Sequence, residues 1–218
     1  FALLASAARA DEEQDLIATL RSSASIPQKC AACQKLRSVG TVKSVPALAA
    51  ALLGEERTGH AARYALEGMP FPEAGAALRQ ALEKTSGLIK AGLVDSVGWR
   101  RDTAAVPLLL PLLSGTDVAL ASAAASSLGR IGGNEAMAAL MAVRDEALPA
   151  VQPTVLNSLL LCAEQLGAGG DTQGAAKLYR DLNATKYPTS IRVAAWRGLV
   201  LADAGARAHQ THLRRHHL

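Results

Sequence analysis

Leu52, Leu82 and Leu112 stand 30 residues apart, twice in succession. Around each the chain follows one outline: a polar or proline-containing start, a short apolar stretch ending in leucines, a turn, then a second apolar stretch ending near a glycine. The first stretches are Ser44–Leu53, Pro72–Leu82 and Thr103–Leu113. Gly40, Gly68 and Gly98 close the second stretches at spacings of 28 and 30, and Leu128-Gly-Arg-Ile-Gly-Gly133 closes the next. A fixed period of this length constrains the fold more than any other feature. Each unit reads as a helical hairpin that cannot bury its apolar face alone and must stack on its neighbours. A compact globin-like bundle would hold the same helices without requiring the regular spacing.

Composition agrees with helices. The chain holds 45 alanines and 33 leucines, over a third of its 218 residues, and only 3% of it is aromatic. That balance favours helix and argues against a β-sandwich or an aromatic base-stacking sheet. With half its residues apolar, the chain does not have the composition of a disordered one.

The turn chemistry fits the same outline. Ser44, Asp102, Asp117 and Asn134 sit where N-caps are wanted. Pro46, Pro72 and Pro107 fall near helix starts. Pro111 falls later in its helix and is expected to bend it. The closing glycines are expected to supply the left-handed residue that ends a helix. The resulting hairpins are 11–40, 43–69, 72–99, 102–132, 134–167 and 171–205. Together they predict an all-α, right-handed α-solenoid of about six hairpins over residues 11–205.

Three of the four net positive charges reside in Arg207, Arg214 and Arg215, in a terminal stretch without acids. The body is therefore near neutral and a poor nucleic-acid binder, since affinity for phosphate needs cations clustered on one face, and no nucleic-acid partner is expected. No apolar run reaches the roughly 20 residues of a membrane span. Residues 206–218 show no amphipathic pattern and read as a basic, His-rich, unstructured tail.

The chain begins with Phe1, which reads as a start inside a longer sequence. Residues 1–10 resemble the end of a signal peptide, with Ala8-Arg9-Ala10 as the cleavage site and Asp11 as the mature start. That reading places the protein in the periplasm or another extracytoplasmic space. If the segment is instead a first helical turn, the cytoplasm is expected.

At this point the motifs resemble HEAT repeats, over about residues 14 to 205. The resemblance is carried by Val45-Pro46-Ala-Leu48-Ala-Ala-Ala-Leu52-Leu53, by Ala62-Arg63-Tyr64-Ala65-Leu66, by the run Asp117 to Gly132, and by Arg192-Val-Ala194-Ala195-Trp-Arg-Gly-Leu199. The run Gly87 to Asp102 is similar to a repeat of exported bacterial HEAT-repeat proteins. Gly174-Ala-Ala-Lys-Leu-Tyr179-Arg-Asp-Leu182 reads more like a tetratricopeptide first helix. What the resemblance implies is a scaffold that holds a protein or peptide partner along a curved face, often lined by the second helices. Some short bacterial relatives are lyases that attach bilins, so an enzymatic exception exists.

The residues themselves offer little chemistry. There is no G-x-S-x-G, H-E-x-x-H, P-loop or dinucleotide fingerprint, and no cofactor is implied. Leu166-Gly-Ala-Gly-Gly170 lies between helices and reads as a loop. His209, His212, His216 and His217 could collect a divalent metal only if the tail coiled up, and His60 is a lone surface or structural histidine. Cys30 and Cys33 lie one helical turn apart, which suits two core thiols or, alternatively, a metal or disulfide pair. Glu55-Glu56, Asp11-Glu12-Glu13 and Asp145-Glu146 are adjacent in sequence, diverge by about 100° on a helix, and suit helix N-termini or solvent.

The remaining polar signal is a set of partner-binding candidates: Lys90, Asp95, Arg100, Arg101, Arg130, Arg192 and Arg197. They fall in or just after second helices and are expected either to form a ladder on one face or to brace neighbouring hairpins through turn carbonyls and Asp side chains. Trp99 and Trp196 would be the better anchors for a partner if exposed, but each is expected to pack between hairpins. The reading is thus a non-catalytic interaction scaffold. Its rivals are a bilin-lyase-like accessory using a thiol such as Cys30 or Cys33, and a structural spacer in a larger chain. Leu199, Val200 and Leu201 in a row predict self-association or further repeats downstream.

Overall fold

The computed structural model describes the backbone of residues 2–215 and the side chains of residues 9–202; His216 and His217 lie outside the described residues. Among the described residues there are twelve α-helices and no strand. They are α1 (Ala2–Arg21), α2 (Ile26–Val39), α3 (Val45–Leu52), α4 (Glu56–Gly68), α5 (Pro72–Lys84), α6 (Gly87–Trp99), α7 (Val106–Leu113), α8 (Val118–Ile131), α9 (Gly133–Val143), α10 (Gln152–Ala168), α11 (Thr172–Leu182) and α12 (Thr189–Arg215). Taken in pairs they are the six hairpins that the period predicts. The protein is an all-α solenoid of helical hairpins.

The chain divides into two compact units, Phe1–Leu108 and Leu109–Leu218. In the first, the first helices α1, α3 and α5 pack in succession, and so do the second helices α2, α4 and α6, with α4 also against α3 and α5. In the second, α8, α10 and α12 form a row of second helices, with α9 against α8 and α10, and α11 between α10 and α12. This two-layer order is what stacked hairpins require, each covering the face its neighbour leaves bare.

Local sequence explains the elements. In α4 the Glu55 carboxylate accepts from the backbone N–H of Arg57 and Thr58, both at 3.0 Å, satisfying two of the donors a helix start leaves open. Ala62, Ala65 and Leu66 then form a stripe at helical spacing, each at most 1% exposed. Asp117 caps α8 by accepting from Ala119 and Leu120, and Asp102 caps the 3-10 turn before α7, as expected.

Other local expectations are corrected. Ser44 makes no side-chain cap; its hydroxyl donates to the Thr41 carbonyl, and Thr41 caps the short 3-10 turn instead. Asn134 lies inside α9, whose N-cap is Gly132. Of the glycines expected to end helices in the left-handed region, Gly40 has φ −65°, Gly68 is the last residue of α4 and Gly98 lies within α6. Only Gly132, at φ 69°, behaves as expected, and Arg101 takes the left-handed conformation (φ 51°) after α6. Most of these helices lead into extended residues or 3-10 turns that begin the next helix, so no reversal of φ is needed.

The backbone of α12 is helical through residues 206–215, where the sequence reading places an unstructured tail. Residues 2–10 continue α1, in keeping with their alanine content. No helix among the described residues is long and apolar enough to cross a membrane.

Candidate partner-binding surfaces

Polar braces tie consecutive hairpins together, and they recur at one repeat's separation. Arg63, 7% exposed on α4, donates to the Gly92 carbonyl at 3.1 Å and to Ser96 Oγ at 2.7 Å on α6. The Ser96 hydroxyl donates in turn to Glu67 at 2.7 Å. Arg100 reaches back to the preceding hairpin, donating to the carbonyls of Leu66 (2.9 Å), Glu67 (3.1 Å), Met69 and Phe71 (2.9 Å). Burial lowers the pKa of its guanidinium, with Asp102 opposing that shift, and Asp102 also pairs with Arg79. In the second unit, Gln165 on α10 donates to the carbonyls of Gly129 and Arg130 at the end of α8.

These contacts sort the seven candidates. Arg100 is a brace between hairpins. Arg101 is exposed beside it, and Lys90 is half-buried. Asp95 is half-buried on α6 and already engaged; five residues from Lys90, it points about 140° away around the helix, so the two share no face. Arg130 is half-buried and engaged. Arg192 is half-buried, with a buried Nε that meets no hydrogen-bond partner. Arg197 is exposed.

What the helices do present is apolar and aromatic. Trp99 is 65% exposed and Trp196 59%, correcting the expectation that both pack between hairpins. On α6 the core side is Leu93, Val94 and Val97, all fully buried. Leu88, Asp95 and Trp99 lie on the opposite face at spacings of 7 and 4, with Leu88 79% exposed. On the adjacent α4, Tyr64 is 52% exposed, opposite the stripe of Ala62, Ala65 and Leu66. The Arg63 guanidinium carbon stands 4.3 Å from the centre of the Tyr64 ring, a cation–π contact that holds the ring in place. Sequence reasoning pointed to the second helices but did not single out Tyr64 or Leu88, although the position of Leu88 opposite the apolar stripe carried the signal.

In the second unit α10, α11 and α12 enclose a groove of about 550 Å³. Small residues, among them Ala163, Gly167, Ala194 and Gly198, open it; Tyr179 and Leu201 add apolar surface, and Glu164 and Arg197 stand on its walls.

The thiols are poorly placed for chemistry. Cys33 is fully buried, and burial is the main cause that pushes its pKa up to about 12, with Cys30 adding to the shift. Burial pushes Cys162 up to about 11. Cys30 is half-buried, and all three are free. In the native protein a thiol reagent is therefore expected to modify Cys30 alone at neutral pH, with Cys33 and Cys162 reacting only in denaturant; rapid native labelling of Cys33, read by mass spectrometry, would contradict this. No group of three or more candidate metal ligands occurs among the described residues.

Residues 75–159 match the family model of HEAT repeats. That segment runs from within α5 into α10, across the Leu82–Leu112 spacing from which the period was read. The HEAT-repeat segment contains Asp95, Trp99, Arg100, Arg101 and Arg130 but neither Tyr64 nor the α10–α12 groove. No curated protein matches the chain. HEAT repeats are in general protein-interaction scaffolds.

Proposed function

We propose that this chain is a non-catalytic scaffold that binds a protein or peptide partner across the outer face of its second helices. The observation that carries the reading is the exposure of Tyr64, Leu88 and Trp99 on α4 and α6, two helices whose opposite faces are fully committed to the core. Large aromatics held on a rigid helical layer are the side chains that dominate interface energetics. The rigidity comes from the Arg63 and Arg100 braces, so little order has to be created on binding.

The near-neutral body favours a protein partner over nucleic acid. The thiol-based alternative draws no support from Cys33 and Cys162, whose protonated forms burial favours. Export is part of the proposal and rests on the Ala8-Arg9-Ala10 signature alone. The tetratricopeptide likeness of the last hairpin rests on the sequence of α11, whose Ala175, Ala176, Leu178, Tyr179 and Leu182 are all buried.

The test is affinity capture of a partner by the whole chain, followed by titration of the purified partner. Trp99→Ala is expected to weaken binding about 30-fold, the scale of a hot-spot residue near 2 kcal/mol. Gln80→Ala, an exposed change on the first helix α5, is expected to leave affinity unchanged. Equal affinity of wild type and Trp99→Ala would overturn the assignment of the face.

A further inference from the structure

The groove between α10 and α12 has beside it the features that would fill it, and this self-complementarity points to an occupant. On α12, Val193, Trp196 and Val200 form an exposed apolar ridge, at 52%, 59% and 47% exposure. They recur at spacings of 3 and 4 along one side of the helix. Leu201, 72% exposed, turns the corner from this ridge into the groove, where it is part of the lining with Arg197. Glu164 stands across from them on α10. Both charged residues are exposed, and neither makes an ion pair among the described residues. One surface thus carries a ridge and a groove side by side, together with one unmatched cation and one unmatched anion.

We propose that a second copy of this chain occupies the groove, in a two-fold contact that sets the α12 ridge of each copy over the α10–α12 groove of the other. An isologous contact needs one patch complementary to itself, so that each residue meets its counterpart's partner across the axis. Here the axis brings Arg197 of each copy opposite Glu164 of the other, giving two charge pairs from two residue types. The ridge supplies the apolar area, and the small side chains lining the groove let a helix come close. The contact is built from residues of α10 and α12 and draws on none of Tyr64, Leu88 and Trp99. The contact is confined to one helix face and one groove, whereas a standard stable interface draws on roughly 20–30 residues a side. The pairing is therefore weak and reversible, governed by protein concentration.

The experiment is light scattering of the full chain over a dilution series, for wild type, Glu164→Arg, Arg197→Glu and the double charge swap. The wild-type mass is expected to rise from 22.6 kDa toward twice that value as concentration increases. Each single swap sets like charges against each other and is expected to hold the chain at the monomer mass. The double swap restores opposite charges and is expected to recover the dimer. Circular dichroism of all four confirms equal helicity, which exposed positions should preserve. A wild type that stays monomeric at every concentration overturns the proposal and leaves the groove to a different protein. A dimer that survives both single swaps, or a double swap that fails to recover it, also overturns the proposal.

Discussion

Replacing Arg100 by alanine is expected to lower the stability of the chain by about 3 kcal/mol, as several carbonyls at the end of the preceding hairpin lose a shared donor. The guanidinium bonds the carbonyls of Leu66, Glu67, Met69 and Phe71, all in the segment where α4 ends and α5 begins. Two of the four carbonyls keep a backbone donor when the side chain is removed, Leu66 from the N–H of Met69 and Phe71 from that of Ala74, so the loss falls mainly on Glu67 and Met69. Arg100→Lys is expected to recover only a fraction of the loss, because an ammonium is a single point donor and cannot span the same set of carbonyls. Urea denaturation followed by circular dichroism reads the effect as a lower midpoint. An unchanged midpoint for Arg100→Ala would mean that the brace is formed without contributing to stability.

Gly129→Val is expected to cost about 3 kcal/mol by overpacking. A Cβ built on Gly129 would lie 2.7 Å from the Ser158 Cβ and 3.0 Å from its Cα, so part of the obstacle is backbone of α10 and cannot swing aside. Gly129 and Ser158 are both buried, and their small size sets the close approach of α8 and α10. A branched side chain there must push the two second helices apart, and the Gln165 bonds to Gly129 and Arg130 are strained with them. Gly129→Ala should cost less, and pairing it with Ser158→Gly should recover much of that smaller loss. The same urea assay decides it. A Gly129→Val chain as stable as wild type would show that the α8–α10 contact is looser than described.

The hairpin order was legible because it depends on periods that a sequence displays. Leucines at 30-residue intervals and apolar residues at helical spacing place the six hairpins within a few residues of their bounds, except that α1 begins at Ala2 and α12 runs on to Arg215. The capping was legible only in part. Asp102 and Asp117 cap as acids before an apolar run should, but the closing glycines misled, since several helices run straight into extended residues or a 3-10 turn. The Arg100 brace left no local trace, for its acceptors are backbone carbonyls 29 to 34 residues away and a carbonyl has no sequence identity. The sequence reading did name bracing as one role for these arginines. Trp99 and Trp196 are expected between hairpins, whereas helical phase puts Trp99 opposite Leu93, Val94 and Val97. Where size and phase disagree, an exposed tryptophan marks a surface kept apolar for a reason other than the core.

Braces and binding face belong to one design. Arg63 illustrates it: the same guanidinium that bonds Gly92 and Ser96 across the hairpin boundary also supports the exposed Tyr64 ring. Adding a Cβ at Gly92 would place it 3.0 Å from Arg63 Nε, so the glycine leaves room for the arginine to lie flat between α4 and α6. Arg63 and Arg100 fix the spacing of hairpins in the first unit, and Tyr64, Leu88 and Trp99 remain exposed on α4 and α6.

The account's central claim is that partners dock on the outer face of the second helices, and site-specific photo-crosslinking tests it most directly. A photo-crosslinking amino acid would be placed in turn at positions 64, 88 and 99 on α4 and α6, and at the exposed positions 73, 80 and 83 on α5. Illumination of each variant with its captured partner is followed by gel analysis. The account predicts covalent adducts from positions 64, 88 and 99 and none from α5. Adducts confined to α5, with positions 64, 88 and 99 silent, would contradict it.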